Sequence, residues 1–331
     1  MYSSKKFYFG ISILIAVALT ILLPGRAFEM TSGGMVRYEF GLPFHYITIY
    51  QYQSTSNWLI PNLFNGNRGL GVDPLPLLMN AFIVYLIIDF IRPSSSLEEK
   101  RVLDKEFLKY LGILFIGFLL IHRLPHNSYS VMQYIIPPIS LQSGGTLYLS
   151  GLPIAILFIY CLVKIINLPR FAEKSKFFIF LILILAIMPL MRESIHLTRS
   201  AYHAVVGSNL TAVDCNFDNS SINIGTGEDR EVFINVRLEL VDYGRNHNQF
   251  KVRVHIPEKW KAFFDVDSLQ LENVYTTNGY RNTIRIQEEL KLQIAETYTE
   301  AYIWDHGWYN ETFHYELYND EESIMIVDHG R

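Results

Sequence analysis

The sequence predicts a membrane α-helical bundle of about five transmembrane helices in residues 1–200, followed by an extracytoplasmic, all-β, immunoglobulin-like sandwich in residues 205–331. Half of the 331 residues are hydrophobic, and the long apolar runs lie in the first 200. From residue 232, apolar and polar residues alternate with period two, which is typical of strands with one buried face. Charge divides similarly: residues 1–204 carry 17 lysines and arginines against 10 acidic residues, whereas the remainder carries 11 against 22.

Five apolar runs approach the length of a membrane span, which is roughly 20 helical residues for a bilayer core about 30 Å thick. They predict spans at about residues 7–23, 75–91, 108–121, 147–166 and 177–191. The first run exceeds the usual signal-peptide core and lacks a small-x-small cleavage site, so we expect an uncleaved anchor, with a cleaved signal peptide as the alternative. The third run is short, and whether it crosses completely stays open.

Basic residues predict the orientation of these spans. The connections 1–6, 92–109 and 164–176 contain 11 lysines and arginines, whereas the loops 25–73 and 122–144 contain four. Positive residues are concentrated on the cytoplasmic side of membrane proteins. The predicted localisation is therefore the cell membrane, multi-pass, with a cytoplasmic N-terminus and with both longer loops and the C-terminal domain outside.

The stretch GLPFHYITIYQYQ lies at residues 41–53, inside a run without charged residues from Phe40 to Asn67. It is too polar for a span, and its aromatic side chains combine an apolar body with a polar tip. We therefore predict an outer-surface segment that does not cross the bilayer. Its aromatic residues form the candidate binding surface: Phe44, Tyr46, Tyr50, Tyr52 and Trp58.

One short motif carries a resemblance. A hydrophobic anchor, then a loop with Gly41-Leu42-Pro43-Phe44, then a hydrophobic bundle resembles uncharacterised multi-pass membrane proteins of Gram-positive bacteria. The resemblance covers about the first 100 residues. It implies a membrane bundle, and it supplies neither an activity nor a functional residue.

The alternation in the second part predicts seven or eight short strands, which favours an immunoglobulin-like or fibronectin-like sandwich. Cys161 and Cys215 are the two cysteines, too few for a disulfide framework, and the Cys…Trp…Cys pattern of antibody domains is missing from the sequence. The predicted strands are Val232–Val241, Phe250–Ile256, Ser268–Val274, Thr283–Ile286, Leu290–Ala295, Ala301–Trp304, Thr312–Tyr318 and Ile324–Val327.

Polar residues near the predicted outer span ends are weak candidates for a metal site. His122 and His126 follow the third span, and Glu193 and His196 follow the fifth. Imidazoles and a carboxylate can hold zinc. However, Pro125 interrupts the helical spacing of the two histidines, and no HExxH motif is present. A polar rim without metal is the alternative interpretation.

These observations favour a non-enzymatic binding or complex-assembly role at the cell envelope. The sequence has no P-loop, no GxGxxG after a strand and no nucleophile elbow, and no cofactor is predicted. The alternatives are a component of a transporter or permease complex and a membrane enzyme with a histidine-rich metal site. Expected partners are the lipid bilayer and another membrane or envelope protein. Nucleic acid is excluded because the second part is acidic.

Overall fold

The computed structural model of the chain divides into two compact units. Unit 1 comprises Met1–Leu119 and Leu152–Ala201, and unit 2 comprises Leu120–Gly151 and Tyr202–Arg331. The described residues are 2–29, 35–52, 56–64, 68–91, 97–140, 146–168, 176–207, 209–226, 231–264, 266–277, 279, 281–294 and 312–329.

Helices and strands alternate along the chain. The helices are α1 Tyr2–Leu22, α2 Leu59–Phe64, α3 Pro74–Ile91, α4 Leu97–Ile121, α5 Val131–Ile135, α6 Leu152–Ile166, α7 Lys176–Val206 and α8 Glu258–Phe264. The strands are β1 Arg26–Glu29, β2 Val36–Phe40, β3 Ile47–Gln51, β4 Gly69–Val72, β5 Ile139–Ser140, β6 Thr146–Leu147, β7 Val213–Cys215, β8 Ser221–Thr226, β9 Glu231–Asp242, β10 Gln249–His255, β11 Ser268–Gln270, β12 Tyr275–Thr276, β13 Asn282–Gln293, β14 His314–Tyr318 and β15 Ser323–Ile326.

Unit 1 combines helices with a small antiparallel sheet. Its strands run in the order β4-β3-β2-β1. Alternate residues of β2 (Val36, Tyr38 and Phe40) are buried beside Ile49 of β3 and Leu59 of α2, which forms one small core. A second cluster joins α4, α6 and α7, and α1 packs along α3.

Among the described residues, none of the helices has both the length and the apolar character that crossing a membrane requires. The five predicted spans, 7–23, 75–91, 108–121, 147–166 and 177–191, are therefore wrong, and so is the multi-pass localisation derived from them. Hydropathy does not show where a helix begins. The predicted span 147–166 starts with β6, and α6 has only 15 residues. At 1.5 Å per residue that helix is about 22 Å long, shorter than a bilayer core of about 30 Å.

Buried polar side chains or a proline lie inside α1, α3 and α7. α1 buries the hydroxyls of Ser12 and Thr20, which donate to the carbonyls four residues earlier. α3 contains the buried Asn80, and α7 contains Pro189 and the buried Glu193. The predicted loop 25–73 holds β1 to β4 and α2, so it belongs to a folded sheet. These helices also leave large apolar side chains exposed, among them Leu14, Leu75 and Ile156.

In unit 2, two groups of paired strands enclose one hydrophobic core, and β5 and β6 form a separate two-stranded sheet. In the first, β9 pairs with β13 along its whole length, and β7 and β8 pair with other parts of β9. In the second, the order is β11-β10-β14-β15, and β12 also pairs with β10. The inward side chains of β9 (Val232, Ile234, Val236, Leu238 and Leu240) join those of β10 and β14 in the core.

Several predicted strands agree with the structure, but the immunoglobulin-like fold class is wrong. The strands predicted at residues 232–241, 250–256, 312–318 and 324–327 correspond to β9, β10, β14 and β15. Those predicted at 283–286 and 290–295 form one continuous strand, β13, whereas the strand at 301–304 lies outside the described residues. Helices α5 and α8 lie among the strands, so the described chain is a mixed α/β fold.

A buried carboxylate fixes two loops of unit 2. One oxygen of Asp242 accepts the Gly244 N–H at 2.7 Å, and the other accepts the Gly279 N–H at 2.6 Å. The carbonyl of Asp242 accepts the Arg281 N–H at 2.6 Å. Because burial disfavours the charged form, it raises the pKa of Asp242 despite these hydrogen bonds.

We expect Asp242→Asn to destabilise unit 2 by about 1–3 kcal/mol at pH 7, because an amide can accept only one of the two backbone N–H groups. Denaturant unfolding of the full chain measures this loss. Asp320→Asn is the control, because Asp320 is exposed, and it should change stability by less than about 0.5 kcal/mol.

The raised pKa of Asp242 also predicts how the stability difference between the wild type and Asp242→Asn depends on pH. A carboxyl whose folded-state pKa is raised adds stability at low pH, and this contribution disappears as pH rises through the folded-state value. The stability of the wild type relative to Asp242→Asn should therefore increase from pH 7 toward the ordinary carboxyl pKa of 3.8. A difference that shrinks on acidification would contradict the raised pKa.

Candidate binding surface

The turn between β2 and β3 contains the Gly41-Leu42-Pro43-Phe44 motif and is held by α3. The Asn80 amide donates to the Phe44 carbonyl at 2.7 Å and accepts the Phe44 N–H at 3.0 Å. Asn80 is 1% exposed. One buried side chain therefore satisfies both the N–H and the C=O of Phe44. The Leu42–Pro43 peptide bond is cis.

Gly41 is required at the start of this turn. Its φ is +115°, a backbone conformation that side chains disfavour. A Cβ at this position would lie 2.5 Å from Cδ1 of Tyr46 and 2.7 Å from the Phe44 carbonyl oxygen. The motif in the sequence therefore reports a tightly packed turn.

Tyr46 attaches the same turn to α1. Its hydroxyl donates to Oγ1 of Thr20 at 2.8 Å, and that hydroxyl donates to the Ala16 carbonyl at 2.9 Å. Burial raises the pKa of Tyr46, and the Thr20 hydrogen bond opposes this effect only partly. Tyr46 is therefore a neutral structural residue.

A buried pair of amides orients α2 on the sheet. Nε2 of Gln51, at the end of β3, donates to the carbonyl of Asn62 at 2.9 Å and to its Oδ1 at 2.8 Å. The Asn62 amide in turn donates to the carbonyls of Ser56 and Trp58. Both amides are almost completely buried, so they fix the orientation of α2 about its own axis, with Leu59 in the core.

In this orientation, the side chains on the face of α2 that points away from the core are exposed. Ile60 and Phe64, one helical turn apart, are 45% and 80% exposed, and the preceding Trp58 is 39% exposed. Tyr52, just after β3, is 57% exposed, and the Arg68 guanidinium lies over its ring at 5.2 Å. We call Tyr52, Trp58, Ile60 and Phe64 the aromatic surface.

The predicted binding residues separate into three groups by exposure. Tyr46 is buried, Phe44 and Tyr50 are half-buried, and Tyr52 and Trp58 are exposed. The sequence prediction missed Ile60 and Phe64. A signal was available: the run WLIPNLF carries two apolar pairs at i,i+4 spacing, Leu59 with Leu63 and Ile60 with Phe64, and a short helix on a sheet buries only one side.

The four candidate metal ligands are divided between the two units. His122 and His126 belong to unit 2, whereas Glu193 and His196 belong to unit 1. The His126 ring lies 2.9 Å from the Val213 carbonyl, and the buried Glu193 forms an ion pair with the half-buried Arg26. Within the part of the chain that the structure describes, no three histidine, cysteine or acidic side chains are placed to hold a metal ion.

Other acidic side chains of unit 2 are engaged in structural hydrogen bonds. Glu239 accepts hydrogen bonds from the side-chain amides of Asn216 and Asn219, both at 2.7 Å, and forms an ion pair with Arg285. Burial opposes ionisation of Glu316, but hydrogen bonds from Ser323, His255 and Arg253 outweigh it and lower the pKa of Glu316. Their arrangement fixes neighbouring strands and loops.

No family model matches the chain, and neither a curated protein nor a solved structure does. The resemblance based on Gly41 to Phe44 therefore stays a prediction, and the functional argument depends on the geometry alone.

We expect Gly41→Ala to destabilise unit 1 by roughly 2–4 kcal/mol, because the added methyl group is strained by the positive φ and overlaps the Tyr46 ring. Gly112→Ala is the matched control. Apart from its neighbours along the helix backbone, no atom lies within 4 Å of the Cβ added at Gly112, which sits inside α4, where alanine is favoured by about 0.5–1 kcal/mol. Thermal unfolding should therefore shift in opposite directions for the two variants.

Proposed function

We propose that the protein has a non-enzymatic binding and assembly role in which the aromatic surface contacts an apolar surface of another protein. The observation that carries this proposal is the exposure of Ile60 and Phe64 on α2, and of Trp58 immediately before it, while the buried amides of Gln51 and Asn62 fix the orientation of the helix. These side chains are held outside the core by the packing of the helix itself.

The composition of this surface supports a protein partner. Interface cores are depleted in charge and enriched in aromatic residues and arginine. The run from Phe40 to Asn67 has no charged residue, and Arg68 stands beside Tyr52. Tryptophan, tyrosine and arginine are also the residue types that contribute most to binding energy at interfaces. We therefore expect an apolar partner surface.

The engagement of acidic side chains in unit 2 agrees with this role. Glu239, Asp242 and Glu316 accept hydrogen bonds that fix loops and strands, and thereby contribute to a rigid scaffold. No described geometry favours the transporter or the metal-enzyme alternative, and both stay predictions.

Site-specific photo-crosslinking in cells that naturally produce the protein tests this proposal. A benzophenone amino acid is placed at position 58 or 64, with position 270 as the control, because Gln270 is exposed on β11 of unit 2. We expect the same protein adduct from positions 58 and 64 and a much weaker one from position 270. Absence of an adduct from both positions, or equal adducts from all three, would overturn the proposal.

Affinity for the captured partner provides the quantitative prediction. Trp58→Ala combined with Phe64→Ala should weaken binding by about 2 kcal/mol or more, roughly thirtyfold, because central aromatic contacts dominate interface energy. Isothermal titration with the purified partner measures the change. The control Gln270→Ala should leave affinity unchanged. Unchanged affinity in the double variant would show that the aromatic surface is not the interface.

A further inference from the structure

β4 is a terminal strand of the unit 1 sheet and presents an open edge. It is last in the order β4-β3-β2-β1, and only β3 pairs with it among the described residues. Leu70 and Val72 are 53% and 58% exposed, and the strand contains neither lysine nor proline. Edges without such protection can pair with another strand.

The hydrogen bonds of β4 show which backbone groups face outward. The Asp73 N–H donates to the Tyr46 carbonyl at 2.8 Å, so Asp73, Gly71 and Gly69 direct their backbone groups toward β3. Because directions alternate along an antiparallel strand, Leu70 and Val72 direct their N–H and C=O groups to the open edge. Two outward donors and two outward acceptors are therefore available.

This edge is complementary to itself. If β4 of a second copy pairs antiparallel about a two-fold axis at Gly71, Leu70 of each copy lies opposite Val72 of the other. That register forms four backbone hydrogen bonds and two apolar cross-strand pairs. The two Gly71 residues lie opposite each other at the axis. A Cβ added to Gly71 would have only Thr48 within 4 Å, at 3.8 Å. Leu70 also lies beside Ile49, so these pairs would continue the unit 1 core.

Charges at the strand ends favour the same arrangement. Arg68 immediately precedes β4 and Asp73 immediately follows it, and both are exposed. In an antiparallel pair, Arg68 of one copy comes within side-chain reach of Asp73 of the second copy at both ends. A parallel pair would instead place like charges together.

From these observations we propose that the protein forms a two-fold homodimer in which the β4 strands of two copies pair edge to edge. Each copy has one β4, so the association closes at two copies. The inference depends on the backbone of β4, not on the aromatic surface, and it stands even if that surface binds nothing.

Cysteine crosslinking of the full chain tests the register. In the proposed pair the two Gly71 Cα atoms are about 4.5 Å apart, within the range that a disulfide spans. Gly71→Cys should form a covalent dimer on mild oxidation, seen by non-reducing electrophoresis. The control Ile60→Cys, exposed on α2, should form at least tenfold less, and native Cys161 and Cys215 are buried.

Sedimentation of the unmodified chain supplies the second measurement. We expect a monomer–dimer equilibrium for the wild type. In the double variant Leu70→Lys with Val72→Lys, the dimer dissociation constant should rise at least tenfold, because the lysines of the two copies would lie opposite each other. Both side chains are exposed, so the unfolding temperature should change little. A wild type that stays monomeric, equal crosslinking of the two cysteine variants, or a ladder beyond dimers would overturn the proposal.

Discussion

The pairing of Asn80 with the backbone of Phe44 is the interaction on which unit 1 depends. Asn80 satisfies both backbone groups of Phe44 in a turn whose first residue, Gly41, lies against Tyr46. The turn sets where β3 begins, and β3 in turn positions Gln51 at one end and β4 along its side. The aromatic surface and the open edge of β4 are therefore both consequences of one satisfied buried turn.

In unit 2 as well, buried polar groups with satisfied hydrogen bonds fix the surrounding chain, but here the groups are carboxylates. Burying a carboxylate without partners is costly, so Asp242 and Glu239 are surrounded by backbone and side-chain donors. These groups hold the C-terminal end of β9 and the loops beside it. In unit 1 the corresponding buried polar groups are mostly neutral amides and hydroxyls, and they direct the apolar side chains of α2 outward. Buried polar groups in both units thus build a scaffold, and the exposed apolar groups are the ones available to a partner.

Local pattern was a good guide to strands and a poor one to helices. The alternation from residue 232 predicted β9 and β10 within a residue or two, because each strand has one buried and one wet face. The break expected inside β13 is absent, since pairing with β9 continues through Glu288 and Glu289. Apolar runs were interpreted as spans because hydropathy records neither where a helix starts nor which polar side chains are satisfied inside it. The aromatic residues of the candidate site were visible in the sequence, but which of them are exposed was not.

The sequence by itself determined the strand pattern of the second part and the division of charge, whereas the need for glycine at position 41 became visible only in the structure. Only the tertiary structure decided that Tyr46 is buried and Trp58 exposed, that Glu193 pairs with Arg26, and that β4 has an open edge. Periodicity and turn chemistry act over a few residues and are legible along the chain. Burial and hydrogen-bond partners depend on residues far apart in sequence, such as Asn80 for Phe44, and no local pattern encodes them.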